Sequence, residues 1–122
     1  MFDYLCLLRS GTISGALTTT GTTAGVEINE SPARGLSFEA VVPAAAATTT
    51  LDIEIQCADT DADASYATVG KFLQITAAGL YACHVAIAKK YVRQKSSVAG
   101  TTPNFGAVTI GIVPGDVRNW NV

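Results

Sequence analysis

Lys89, Tyr91, Arg93 and Lys95 stand at alternate positions, with Val92 and Val98 on the opposite parity. On a strand this spacing puts the three cations and the phenol on one face and the valines on the other. A basic stripe with a tyrosine in it suits phosphate or an acidic protein surface. It also suits an edge strand, where charge blocks unwanted sheet pairing. A sequence pI near 5.1 weighs against nucleic acid, whose binding requires net positive charge on the working face. A second constellation, Asp59, Asp61 and Asp63, has the alternating acids of a calcium loop. Counted from Asp59, the sixth and twelfth positions are Ala64 and Gly70, where an EF-hand needs Gly and Glu. The expected reading is a solvated acidic loop with no metal.

Nucleophilic catalysis finds no support. His84 is the only histidine, and it adjoins Cys83 in a candidate strand, so the two side chains point to opposite faces. Cys6, Cys57 and Cys83 include no CxxC pair, and Cys57 and Cys83 occupy apolar strand positions as small hydrophobes in a reducing compartment. No glycine-rich segment combines a following helix with a lysine, as a phosphate loop would. A non-enzyme without cofactor is expected.

Charge is divided along the chain. Residues 27–63 hold Glu27, Glu30, Glu39, Asp52, Glu54, Asp59, Asp61 and Asp63 against Arg34, whereas residues 64–115 hold Lys71, Lys89, Lys90, Arg93 and Lys95 and no carboxylate. Such a division either registers contacts with other molecules or pairs two halves of one fold.

The elements that must carry these residues are strands. Leu36, Phe38, Ala40 and Val42 alternate with more polar neighbours, as do Leu51, Ile53, Ile55 and Cys57. Shorter strands are expected over 66–69 and 72–75 about a turn at Gly70-Lys71, then over 80–88, 91–98 and 105–113, with turns at residues 100–104 and at Pro114-Gly115. No segment keeps a 3.6-residue period for three turns. At 122 residues, 48% hydrophobic and 15% charged, the chain has room for one domain. The expected fold is all-β: an antiparallel β-sandwich, jelly-roll-like, over residues 26–115. Before it lies a Thr/Gly-rich stretch (residues 1–25), read either as irregular edge strands or as an extended N-terminal arm that orders on a neighbouring subunit, with Thr18, Thr19 and Thr20 as candidate contacts. After it lies a tail (residues 116–122) whose Trp120 either folds back on the core or anchors an interface. No apolar stretch reaches membrane-spanning length, and the acid-apolar-base order of residues 1–9 is not that of a secretory signal.

Three stretches taken together resemble the small cement, or decoration, proteins of tailed-bacteriophage capsids. They are residues 51–56 with the Asp-rich loop and Tyr66; Ala78-Gly79-Leu80-Tyr81; and Lys90-Tyr91-Val92-Arg93 leading into residues 98–105. The likeness covers roughly residues 34–115. It implies a jelly-roll-like sandwich made in the bacterial host cytoplasm and bound to the virion exterior. There it would bridge subunits of the major capsid protein and associate with copies of itself as a dimer or trimer, with no nucleic acid or membrane partner. On that view Lys89, Tyr91, Arg93, Lys95, Trp120 and Thr18–Thr20 are the candidate contacts, and glutamate at positions 93 and 95 would weaken binding without altering melting. The rival readings are a tail or fibre β-domain and a carbohydrate-binding module, the latter needing an aromatic platform from Tyr66, Tyr81 and Trp120.

Overall fold

The alternating apolar runs assemble two facing antiparallel sheets. The computed structural model describes residues 7–27, 36–87 and 89–113. In one sheet the order is β1 (Leu7–Arg9), β9 (Thr109–Val113), β4 (Leu36–Val42), β7 (Gly79–Val85). In the other it is β2 (Gly21–Thr22), β8 (Tyr91–Gly100), β5 (Thr49–Ala58), β6 (Ala67–Lys71), with β3 (Val26–Glu27) also paired to β8. Apart from the β5–β6 hairpin, each step along the chain from β1 to β9, counting β2 and β3 together, crosses from one sheet to the other. A single helical turn, α1 (Gly11–Ser14), follows β1; the Ser10 side chain caps it by accepting from the Ile13 backbone N–H.

The two-residue period of the sequence explains which side chains meet. Phe38, Ala40 and Val42 of β4, and Leu51, Ile53, Ile55 and Cys57 of β5, are buried against Ile110, Ile112 and Val92. The core is completed by buried Phe72, Ile75, Phe105 and Val108, which lie outside the named strands. β5 and β8 form the longest ladder, ten residues each, running in register from Thr49↔Gly100 to Ala58↔Tyr91.

Two local expectations change. Gly70-Lys71 is not a turn but the end of β6, and residues 72–75 form only an isolated bridge, Leu51↔Ile75. Glycine is required at position 70 by close approach of the sheets: a Cβ there would lie 2.6 Å from Cγ2 of Val85. Residues 105–108 also remain outside β9, because the Phe105 N–H and Gly106 C=O bond to the Leu17 backbone instead of entering the ladder (3.0 and 2.8 Å).

The Thr/Gly-rich segment is extended for much of its length and packs on its own sandwich. Leu17 is buried, the Thr20 hydroxyl accepts from the Val98 N–H (3.0 Å), and Gly21–Thr22 pair with Ser96 and Lys95. Its described part thus pairs as a short, irregular edge strand. Trp120 and the tail lie outside the described residues.

Candidate functional site

The basic stripe belongs to β8, which is interior to its sheet: β5 flanks it on one side, β2 and β3 on the other. The edge-strand explanation of its charge is therefore overturned. Tyr91, Arg93 and Lys95 share the outer face of the sheet, as the spacing required, whereas Lys89 precedes the strand; most of the charge is already met. Arg93 is buried. Its Nη1 donates to Oδ1 of Asp63 at 2.6 Å, its Nε donates to Oε1 of Gln56 at 2.8 Å, and its guanidinium lies 4.0 Å from the centre of the Tyr66 ring. Lys89 pairs with Asp59 (3.1 Å) and Lys90 with Glu27 (3.0 Å). In strand register Glu54 stands between Lys95 and Lys71.

All three described ion pairs join the acidic half of the chain to the basic half. The charge division seen in the sequence thus registers the fold with itself. Arg93 is a clamp on the acidic loop, and the expectation that glutamate there would leave melting unchanged is corrected: a buried guanidinium with three kinds of partner cannot be inverted without structural loss.

The same contacts dissolve the calcium-loop pattern. Asp59, Asp61 and Asp63 each turn to a different group: Lys89, the Tyr66 hydroxyl (2.8 Å) and Arg93. No cluster of three metal-ligating side chains forms among the described residues. Burial, followed by the hydrogen bond to Asp61, pushes the Tyr66 phenol up to about 12. Because this value lies above the ordinary 10.0, the stabilisation is complete below pH 10 and is lost as pH rises from there toward about 12. A phenolate-absorbance titration of wild type minus Tyr66→Phe is expected to show one tyrosine ionising in that upper range. A difference curve centred near pH 10 would mean the clamp is open in solution.

Tyr66 is thus committed to Arg93, and Tyr81 donates its hydroxyl to the Ala77 carbonyl at 2.6 Å, so neither stands ready as a sugar platform. Cys57 is buried in the core, and burial pushes the half-buried Cys83 thiol up to about 11. His84, on the opposite face as the alternation required, lies with Nδ1 3.0 Å from the Ser37 hydroxyl.

Two features escaped the sequence reading. The first is the edge of β7. Among the described residues it pairs only with β4, and its seven residues include no Asp, Glu, Lys, Arg or Pro. Leu80 is 65% exposed and stands in register beside exposed Val41, with exposed Ala82 next along the face. The other sheet edges are short (β1, β2, β3) or carry a register shift and Lys71 (β6). Ala78-Gly79-Leu80-Tyr81 is one of the stretches that carry the sequence resemblance, but which strand ends a sheet is not encoded locally.

The second is a cleft of about 300 Å³ between β1, the Thr-rich segment and β8. Thr18 and Thr19 line it, so two of the three candidate threonines gather at one place, together with Arg9, which sequence reasoning passed over. Arg9 is 6% exposed, and its Nη1 and Nη2 donate to the carbonyls of Val108 (2.6 Å) and Gly15 (3.1 Å). Gln94 and Ser96 form the far wall at the inward positions between Val92 and Val98. Two polar residues on the apolar parity of β8 were the available signal. No protein-family model matches this chain, and no curated protein matches it.

Proposed function

We propose that this protein is a non-enzymatic structural subunit of a tailed-phage head, a cement or decoration protein that binds the capsid exterior. It joins major capsid subunits and copies of itself. The observation that carries this reading is the open edge of β7, long, regular and uncharged, with Leu80 and Val41 exposed beside it. Soluble proteins ordinarily blunt such edges with charge, proline or bulges. An unblunted one fits a strand or sheet on a neighbouring subunit, through main-chain hydrogen bonds and apolar contact. Small subunits of this kind gain holding strength by repeating one modest interface many times over a shell.

The sequence resemblance adds support, since its stretches fall on β5 and its following loop, on the start of β7, and on β8 with its exit toward Phe105. A jelly-roll arrangement is supported by the strand orders β1-β9-β4-β7 and β2-β8-β5-β6 and by the crossing from sheet to sheet. Within this reading the contact set moves from the Arg93 stripe to β7.

Quantitative mass spectrometry of purified particles, with heads and tails separated, tests the proposal when run with wild type and Leu80→Lys. Wild type is expected in the head fraction at hundreds of copies, in simple ratio to the major shell protein. The exposed Leu80→Lys change is expected to leave melting nearly unaltered and to cut head occupancy roughly tenfold, the effect of about 1.4 kcal/mol of lost contact per site. Copies confined to tails, or absence from particles, would overturn the capsid reading; full occupancy by Leu80→Lys would remove β7 from it.

A further inference from the structure

We infer that the cleft roofed by the Thr-rich segment is a binding site for a small oxyanion, with Arg9 as its charged anchor. This site is independent of the capsid reading and lies at the β1–β8 side of the sandwich, away from the β7 edge.

The argument begins with where Arg9 stands. In the β1–β9 ladder it is opposite Ile110, a core residue, so the strand delivers a guanidinium to the sandwich interior, where apolar side chains belong. A cation removed from water in this way is costly unless an opposite charge accompanies it. Among the described residues no carboxylate lies within salt-bridge distance of Arg9. Its two described hydrogen bonds, to the Val108 and Gly15 carbonyls, hold the side chain in place but bring no counter-charge. Burial accordingly depresses the Arg9 pKa, as desolvation disfavours its charged form. A guanidinium has five N–H donors in a planar fork, so three remain beyond those two bonds. Among the described residues no buried side-chain nitrogen or oxygen lacks a partner, and Arg9 itself lines the cleft.

The other walls fit the same ligand class. Gln94 and Ser96 are buried and fixed to each other, the Ser96 hydroxyl donating to Oε1 of Gln94. Nε2 of Gln94 donates to the Thr23 hydroxyl at 3.2 Å, and that hydroxyl donates to the Leu8 carbonyl. This chain of bonds pins β8, β1 and the Thr-rich segment around the opening. The roof contributes Ser14, Thr18, Thr19 and Thr22, all neutral hydroxyls, and no acidic side chain lines the cleft. A pocket with one desolvated cation, several hydroxyl donors and no negative group selects an anion with multiple acceptor oxygens. At about 300 Å³ it holds a phosphate with accompanying water, or a small carboxylate.

Titration of the full-length protein with inorganic phosphate, and separately with acetate, at constant ionic strength held by chloride, tests the site. The readouts are calorimetry and the NMR Nε–Hε resonance of Arg9. Saturable binding with a shifted Arg9 resonance is expected. Tighter binding of phosphate identifies a tetrahedral ligand, and tighter binding of acetate a planar carboxylate. Thr22→Val, on the exposed roof, retains the fold and is expected to weaken binding severalfold; Arg9→Gln is expected to abolish it. If Arg9→Gln does not fold, the wild-type resonance and Thr22→Val decide the matter. An Arg9 resonance unmoved by either anion, or binding unaffected by Thr22→Val and Arg9→Gln, would overturn the site and leave a water-filled cleft.

Discussion

Arg93→Glu is expected to destabilise the domain by about 4 kcal/mol, near the cost of an uncompensated charge at a buried position. For a chain of this size that is a fall in Tm of roughly 10–20 °C. Three losses combine. The bond to Asp63 becomes a carboxylate facing a carboxylate, Oε1 of Gln56 loses its donor, and the Tyr66 ring loses the cation stacked on it. Discounting is needed on one side only: the Asp63 side chain is 95% exposed and readily turns to water, whereas Arg93 retains 11% exposure and has nowhere to take a new charge. Arg93→Lys should cost less but not little, since an ammonium cannot serve Asp63, Gln56 and the ring at once. Thermal and urea unfolding check both variants. A loss below about 1 kcal/mol for Arg93→Glu would show that the clamp contributes no more than a surface ion pair. For the same reason, charge reversal at Arg93 is a poor test of docking, because reduced binding would follow from a damaged fold.

Gly100→Ala is the second large effect, expected near 3 kcal/mol for reasons confined to the backbone. Gly100 closes the β5–β8 ladder opposite Thr49 with φ +110, a conformation L-residues rarely adopt. An added Cβ would also be driven into the Thr48 carbonyl and to 2.8 Å from Cα of Thr49, atoms that cannot move without shifting β5. Gly21→Ala is the matched control: it has open space and no positive φ, so it should change stability by well under 1 kcal/mol. Equal effects for the two glycines would mean that chain flexibility, rather than the clash, sets the cost.

The sequence alone was sufficient for the all-β class and for the inward residues of β4 and β5. Burial on one side of a pleated strand forces a period of two, and Leu36–Val42 and residues 51–57 display it, with only exposed Val41 and buried Gln56 departing from it. It also separated His84 from Cys83, a consequence of local geometry. Strand order was not legible, and everything that depended on it had to await the assembled sheets. The Arg93 stripe reads the same on an edge as in the interior; only the sheet order shows β8 flanked on both sides and its cation answered by Asp63, thirty residues earlier. Gly70 reads as a turn until Val85 arrives against it from the other sheet. Arg9 and Gln94 are unremarkable polar residues until β1 and β8 bring them to one cleft, and Leu80 is one more strand leucine until β7 is left as an edge. Alternation decides which way a side chain points, because that depends on its neighbours in the chain; what it meets there depends on segments far away in sequence, and only their packing decides it.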